Sequence, residues 1–243
     1  MKFYITFIIS FFLLTPPILS ATETGITVKK FHITPKIYSA YRVFDYTAGI
    51  TGVEAQVFSL GLGLTSTYKK FYSHIFTEKN LSPSEERTTN LVANTITFER
   101  KDSSVSIGYA LNPSISVFTG YKVAETAITA LDNSNLQGNF IRLNAKGFFV
   151  GAGAGLPFKN GLLSFSAAYA LMRATFKQSN KINTRGNAVG ASLSVQWQAP
   201  LTKQWFYQVG VFRHSYFYDK LDQTEGSINE HIVSIRASIG YRF

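Results

Sequence analysis

The 243-residue chain has no cysteine, only two methionines and two tryptophans, and a charged fraction of only 16%. The lack of cysteine excludes a disulfide framework, a cysteine-ligated zinc site, thiol catalysis and lipidation at an N-terminal cysteine. The low charge, beside 45% hydrophobic and 15% aromatic residues, excludes a disordered chain. The length allows one large folded domain or two small ones.

A long apolar run is also missing. The most apolar stretch, residues 3–14, follows Lys2 and would extend only about 18 Å as a helix, against a hydrocarbon core of about 30 Å. Pro16 and Pro17 end this stretch, and Ala21 offers a small-residue exit. These are the parts of a secretory signal peptide, so we predict that residues 1–21 are removed after Ala21.

From about residue 36 onward, apolar residues alternate with small or polar ones, which is the period of a β-strand. A water-facing sandwich sheet would place Lys, Glu and Thr on the second face, but here that face is mostly Ser, Gly, Ala and Gln. Small residues suit the interior of a narrow barrel whose apolar face contacts lipid. A soluble β-sandwich remains an alternative. Aromatic residues near strand ends favour two membrane-interface belts, as at Tyr109, Trp197, Trp205, Tyr218 and Tyr241.

The alternation continues to the last residue. Its apolar and aromatic positions are Val233, Ile235, Ala237, Ile239, Tyr241 and Phe243. With the signal peptide and the strand period, this ending resembles the C-terminal strand of bacterial outer-membrane β-barrel proteins. The resemblance implies an all-β, transmembrane, antiparallel up-and-down barrel in the outer membrane of a Gram-negative bacterium. It also implies that these six residues are the signal read by the barrel insertion machinery after periplasmic chaperones deliver the chain.

Within this class, residues 22–35 would be an N-terminal periplasmic segment and residues 36–243 a monomeric barrel. Short connections should be periplasmic and long ones extracellular. Ten strands are predicted: residues 36–46, 53–66, 71–78, 98–111, 115–127, 140–156, 161–177, 187–198, 204–218 and 231–243. Residues 78–94 (with Glu85, Glu86 and Arg87), 179–186 and 219–230 are then extracellular loops, where a ligand or host partner would be met. Eight strands are the alternative, with residues 53–78 as one strand and the earlier residues outside the barrel.

Several charges fall on the predicted lumen face. The cations are Arg42, Lys122, Arg142, Lys146 and Arg236, and the possible partners are Asp45, Glu54 and Glu99. The parity of the strand at residues 140–156 changes near Gly147, which predicts a β-bulge. A network of paired charges that fills the small barrel is favoured. The alternative is a narrow passive pore that prefers anions, because a ring of uncompensated cations sets selectivity.

The formal charge of +10 is spread singly along the chain, which argues against a nucleic-acid partner. Lipopolysaccharide, with its clustered phosphates, is a better partner for a basic outer-membrane protein. Arg173 and Arg213 share the parity of the apolar faces near the upper strand ends. We expect them at the outer rim, either in charge-assisted hydrogen bonds with lipopolysaccharide phosphate or extended towards water.

Evidence for catalysis in the sequence is weak. His214 and Ser215 bear a faint likeness to lipid A deacylases, but adjacent strand residues point to opposite faces, and the family's spacing is missing. The Asp-x-Asp and Asp-x-His pairs of ten-stranded outer-membrane proteases are also missing. Residues 151–155 (Gly-Ala-Gly-Ala-Gly) lead into a turn rather than a helix, so they predict barrel wall rather than a phosphate loop.

We therefore expect no catalytic residue, metal or cofactor. The expected function is structural, adhesin-like or that of a narrow pore. The alternative is a lipid-modifying enzyme that uses His214.

Overall fold

The computed structural model describes residues 31–48, 51–81, 84–86, 95–132, 135–178, 184–219 and 228–243. The predicted signal peptide and most of the predicted extracellular loop residues, including Arg87, lie outside these ranges. No helix in the described ranges is long and apolar enough to cross a bilayer. The strands are β1 (Phe31–Ala48), β2 (Thr51–Tyr68), β3 (Phe71–Asn80), β4 (Ser84–Glu86), β5 (Thr95–Ala110), β6 (Ile115–Asp132), β7 (Asn135–Phe158), β8 (Gly161–Gln178), β9 (Thr184–Pro200), β10 (Trp205–Asp219) and β11 (Ile228–Tyr241).

The strands close into a ring of ten. Each strand pairs antiparallel with its neighbours, and β11 returns to β1 with Arg236 opposite Ala40. Both β3 and the three-residue β4 pair with β5, so together they fill one position of the ring. The prediction of a ten-stranded up-and-down barrel is confirmed. The eight-stranded alternative is wrong because β2 and β3 are separate strands and β1 belongs to the wall.

Four short turns lie at one end of the barrel, which we call the lower end. Lys69 and Lys159 have φ angles of 55° and 53°, in the left-handed region that two-residue hairpin turns require. The Oδ1 atom of Asn112 accepts hydrogen bonds from the backbone N–H groups of Ser114 and Ile115 at 2.8 Å. These side-chain and backbone preferences set the hairpin registers. The other connections, at the upper end, fall mostly outside the described residues.

The outer face carries a continuous apolar band. Examples are Ile37, Phe58, Phe148 and Leu171, each between 63% and 70% exposed. Aromatic rings cluster at its lower edge, where Trp205 and Tyr241 lie 4.9 Å apart between ring centroids. Polar side chains mark its upper edge, one from each ring strand: Asp45, Gln56, Lys79, Lys101, Glu125, Lys146, Arg173, Asn187, Arg213 and His231. We call these ten residues the upper border. Because an exposed apolar band of this kind needs a hydrocarbon environment, the barrel spans a membrane.

Inside the barrel, aromatic rings lie over glycines. A Cβ atom at Gly151 would lie 2.4 Å from the Phe118 ring, and one at Gly120 would lie 2.5 Å from the Phe149 ring. Phe118, whose parity differs from its apolar neighbours in the sequence, is thus an inward side chain that needs a glycine beside it. The glycines of residues 151–155 are part of the barrel wall, as predicted.

Candidate functional site

A network of buried charges occupies the barrel interior, with Asp102 of β5 at its centre. The guanidinium of Arg100 binds the Asp102 carboxylate with two nitrogens, Nε and Nη2, each at 3.0 Å. The Nη2 atom of Arg42 lies 2.6 Å from Oδ2 of Asp102, and Nζ of Lys122 lies 3.4 Å from Oδ1. One carboxylate therefore faces three cations from β1, β5 and β6.

A second carboxylate, Glu230 of β11, connects this centre to the far wall. Arg100 Nη1 lies 2.6 Å from Glu230 Oε2, and Thr126 Oγ1 donates to Glu230 Oε1 at 2.5 Å. Tyr218 donates its hydroxyl proton to Oε2 at 2.9 Å. The strands β6 and β11 are five steps apart in either direction around the ring, so the Thr126–Glu230 contact spans the full bore.

The third carboxylate is Glu78 of β3. Its Oε2 atom lies 2.6 Å from Nη2 of Arg236, and its Oε1 atom lies 3.2 Å from Nη1 of Arg42. The guanidinium carbon of Arg236 lies 4.2 Å from the Phe212 ring centroid and 4.8 Å from that of Phe76. The aromatic rings partly replace water as surroundings for the buried cation.

This lumen network contains the cations Arg42, Arg100, Lys122 and Arg236 and the anions Glu78, Asp102 and Glu230. All seven side chains are buried, at 9% exposure or less. A cavity beside Lys122 and His214 has room for about one water molecule. The contacts of the lumen network thus cross the barrel interior at this height.

The structure places three of the five predicted lumen cations, Arg42, Lys122 and Arg236, inside this network. The predicted partners Asp45, Glu54 and Glu99 are wrong, because all three lie on the outer face. Asp45 is three residues from Arg42, and residues an odd number apart on a strand face opposite sides.

The prediction that Arg142 and Lys146 face the lumen is also wrong, because both are exposed on the outer face of β7. The pairing of β7 with β8 runs without a shift from Ile141 to Phe158, so the bulge predicted near Gly147 is absent. Without a bulge, both residues keep the parity of the lipid-facing Phe148.

Sequence reasoning missed Arg100, Glu78, Asp102 and Glu230. The sequence places Glu230 in a predicted loop and Glu78 at the boundary between the predicted strand 71–78 and the predicted loop 78–94, but β3 continues to Asn80 and β11 begins at Ile228. The signal that could have found Arg100 is its shared parity with Phe98 and Asp102, the inward positions of β5. The prediction that Tyr218 belongs to a membrane-interface belt is also wrong, because its side chain lies inside the barrel and is only 3% exposed.

The lower half of the lumen is polar but carries less charge. Lys36 Nζ donates to Gln208 Oε1 at 3.3 Å, and Gln208 in turn donates to Gln196. Ser166 and Ser194 lie within hydrogen-bonding distance at 3.2 Å. Polar side chains line part of this half, as the serine- and glutamine-rich strand faces predicted, and the buried rings of Tyr72, Phe118 and Phe206 occupy the rest.

His214 lies inside the barrel and is 4% exposed. Its ring stacks on that of Tyr216 with centroids 6.4 Å apart, and its Nδ1 atom has no hydrogen-bond partner among the described residues. Ser215 lies on the other face of β10, where its Oγ atom lies 3.0 Å from Nδ1 of His231. His214 and Ser215 therefore do not form a site together.

Arg173 and Arg213 are both exposed on the outer face at the upper border. Arg173 lies directly opposite Lys146 across the β7–β8 pairing, and Arg142 lies opposite Lys177. We call Arg142, Lys146, Arg173 and Lys177 the outer basic patch; all four are exposed. Arg213 lies apart from it, two strands further around the ring.

The predicted C-terminal signal residues all lie on the outer face of β11 or just beyond its end. Val233, Ile235 and Ile239 are between 45% and 57% exposed. The backbone N–H of Phe243 donates to the carbonyl of Ile33 at 3.1 Å, which joins the last residue to the first strand. This placement suits an apolar strand edge that is recognised before closure, and that recognition remains a prediction.

No family model and no curated protein matches this sequence. Among solved structures, the outer-membrane protease OmpT from Escherichia coli is similar with a TM-score of 0.62 and 10% identity, over 91% of this chain and 99% of that one. The translocator domain of the autotransporter NalP from Neisseria meningitidis is similar with a TM-score of 0.50 and 12% identity, over 87% and 88%. Identities this low establish the fold alone. The closed ring, the lipid-facing band and these similarities show that the chain has the fold of a bacterial outer-membrane β-barrel.

Proposed function

We propose that this protein is a closed, non-conducting barrel of the Gram-negative outer membrane that serves as a lipid-anchored scaffold for its extracellular ends. The observation that carries the proposal is the lumen network, which joins diametrically opposite strands through Glu230. Since its four cations face three carboxylates, little uncompensated charge is left to select anions. This supports the paired network over the narrow anion-preferring pore.

The pore alternative is tested by recording single-channel currents from the refolded full chain in a planar bilayer. We expect no conductance from the wild type. The double variant Arg100→Ser/Glu230→Ser removes the bridge between opposite walls, and we expect it to show discrete current steps. The matched control, Glu99→Ser/Lys101→Ser, removes the same two charge types from the outer face of the same strand and should stay silent. Steady conductance from the folded wild type would overturn the proposal.

A second part of the proposal concerns lipid. Lys146, Arg173 and Arg213 belong to the upper border, the height at which we expect lipid headgroups to begin, and Arg142 and Lys177 lie nearer the upper end of β7 and β8. Paired rows of cations such as Lys146–Arg173 can offer charge-assisted hydrogen bonds to the clustered phosphates of lipopolysaccharide. The patch supports a lipopolysaccharide-contacting rim centred on Arg173, with Arg213 as a separate contact.

The lipid-modifying alternative that used His214 is not favoured. A catalytic histidine must reach both its substrate and a nucleophile, and His214 is enclosed in the lumen away from lipid. An adhesin-like role would depend on the extracellular loops, because recognition on rigid barrels is concentrated there. A binding assay with loop-deleted variants tests that role separately from conductance.

A further inference from the structure

Three chemically distinct residues lie side by side on the outer face of three neighbouring strands. Ser215 of β10 is directly opposite His231 of β11, and His231 is directly opposite Asp45 of β1. The Ser215 Oγ atom lies 3.0 Å from the His231 Nδ1 atom, within hydrogen-bonding distance. A serine, a histidine and a carboxylate in this order are the parts of a nucleophile, a general base and a group that orients the base.

The carboxylate of Asp45 is on the strand position next to His231. Directly opposite residues on one face of an antiparallel pair have Cβ atoms about 4.5–5.5 Å apart. The side chain of Asp45 is exposed, and among the described residues its side-chain partner is the Thr47 hydroxyl, which donates to it at 3.4 Å. Asp45 and His231 form no ion pair in the structure, so the site needs a side-chain rotation that turns the carboxylate towards the imidazole nitrogen that Ser215 does not use. The Phe217 ring packs against the His231 ring, with centroids 5.7 Å apart, and limits the movement of the imidazole.

A cation lies beside the row. Arg213 lies on the same outer face of β10, two residues before Ser215, which is about 7 Å along a strand. Its guanidinium has no ion-pair partner among the described residues. An unpaired guanidinium at this distance can stabilise negative charge that develops on a carbonyl oxygen or hold a lipid phosphate.

The position of the row in the membrane identifies the substrate class. Val233 and Val211, on the lower side of the row, belong to the apolar band, whereas Asp45, Arg213 and His231 belong to the upper border. This boundary is the depth at which the acyl-ester linkages of membrane lipids lie, between the hydrocarbon chains and the headgroups. A lipid in the outer leaflet would thus present its ester carbonyl to Ser215 without leaving the bilayer.

We propose that Ser215, His231 and Asp45 form a lipid-facing site that hydrolyses acyl esters of outer-leaflet lipids. The Ser215 oxygen attacks the ester carbonyl and transfers its proton to His231, and the tetrahedral intermediate expels the lipid alcohol, which takes up that proton. Water then attacks the acyl-serine while His231 accepts its proton. The Ser215 oxygen leaves with this proton and a free fatty acid is released. No oxidant, metal or cofactor is required.

This inference goes beyond the closed-barrel proposal and would make the expectation of a non-enzymatic protein wrong. It also differs from the alternative that used His214, because the histidine next to Ser215 in space is on another strand. The adjacency of His214 and Ser215 in the chain conceals this pairing, since only strand register brings His231 to the same row.

The test uses the refolded full chain in two kinds of vesicle, one of phospholipid alone and one that also contains lipopolysaccharide, with released fatty acid measured by mass spectrometry. Release from the first identifies phospholipid as a substrate, and release from the second alone identifies lipopolysaccharide. We expect Ser215→Ala and His231→Gln each to lower the rate by about 100-fold or more, the usual contribution of such groups. Asp45→Asn should lower it less.

The matched controls are Ser39→Ala, an outward serine of β1 at lower height, and His32→Gln, a half-buried histidine at the lower end. Both should retain the wild-type rate, as should His214→Gln. Folding of every variant is checked by its heat-dependent mobility in gel electrophoresis. Absence of release from both vesicles by the folded wild type, or equal release by wild type and Ser215→Ala, would overturn the proposal.

Discussion

At the scale of single residues, the interior of this barrel depends on paired charges rather than on apolar packing alone. Asp102 contacts Arg42, Arg100 and Lys122, and each of these side chains is almost fully buried. Burying one such charge without a partner is costly, because the protein interior solvates ions poorly. Removing Asp102 alone would therefore leave three buried cations without the carboxylate that they share.

Replacing Asp102 with asparagine should lower the free energy of unfolding by about 3–5 kcal/mol, because three buried cations lose their common partner. Urea titration of the refolded protein in lipid vesicles, followed by tryptophan fluorescence, measures this change. The matched control is Glu125→Gln on the exposed outer face, which should change the value by less than about 0.5 kcal/mol. Equal effects of the two variants would contradict the network's structural role.

A second residue-scale prediction concerns Gly151. A Cβ atom there would lie 2.3 Å from the backbone oxygen of Ala167 and 2.4 Å from the Phe118 ring, so Gly151→Ala should cost about 1–3 kcal/mol. The same urea titration measures it. Ala152→Val enlarges the neighbouring side chain on the outer face and should be nearly neutral. A neutral Gly151→Ala variant would show that the wall can move to accommodate the methyl group.

At the scale of strands, the sequence predicted the elements well and their inner contacts less well. All ten ring strands, the four lower turns and the outward parity of β8 and β9 follow from the period of two, since one face meets lipid along its whole length. The pairing of the charged residues was harder to predict. A two-residue period shows which residues of one strand share a face, but not which residues of a distant strand they contact. Arg100 and Glu230 come together only through closure of the ring, 130 residues apart.

Strand β7 shows where the pattern itself misleads. Its outward positions include Lys146 and Arg142 beside Phe148, so polarity changes along one face where the wall leaves the hydrocarbon. In the sequence, this change in polarity looks like a change in the parity of the strand, so it predicted a β-bulge. The continuous β7–β8 register excludes that bulge. The row formed by Ser215 and His231 was likewise invisible, because register between neighbouring strands depends on turn geometry and packing.

A prediction at the strand scale concerns the last residue. Phe243→Ser should reduce the amount of folded protein in the outer membrane of an expressing cell, since the insertion machinery is expected to read the apolar ending of β11. Refolding of the same variant in detergent micelles should be nearly unaffected, because Phe243 is 71% exposed. Quantitative blotting of membrane fractions measures the first effect. An equal loss in micelles would indicate a folding defect instead of lost recognition.

At the scale of the whole molecule, charge is distributed by depth. The lower half of the lumen is lined by polar residues and aromatic rings with little charge, the lumen network occupies the middle, and the outer basic patch lies on one side of the barrel at the upper end. This arrangement predicts that stability depends on the lipid at the upper surface. The lower turns carry lysines as well, and they provide a control of equal charge on the opposite side of the membrane.

We expect the wild-type barrel to melt at a higher temperature in bilayers with lipopolysaccharide than in phospholipid alone. Lys146→Ala/Arg173→Ala should lose about 2–4 °C of that gain, the shift that about 1 kcal/mol produces in a protein of this size. Lys69→Ala/Lys159→Ala should keep the full gain. Differential scanning calorimetry in both bilayers measures the shifts. Equal gains for all three proteins would exclude a specific contact at the outer basic patch.

The arrangement of charges has a consequence for how the molecule is assembled. The final strand delivers both Glu230 and Arg236, so until it docks, Arg100 lacks one counter-ion and Glu78 lacks another. An intermediate without β11 would thus contain unpaired charges in its interior, and only the pairing of β11 with β1 and β10 would neutralise them. Barrel closure and charge neutralisation of the lumen network therefore occur in one cooperative step. This disfavours long-lived, partly closed intermediates in the bilayer.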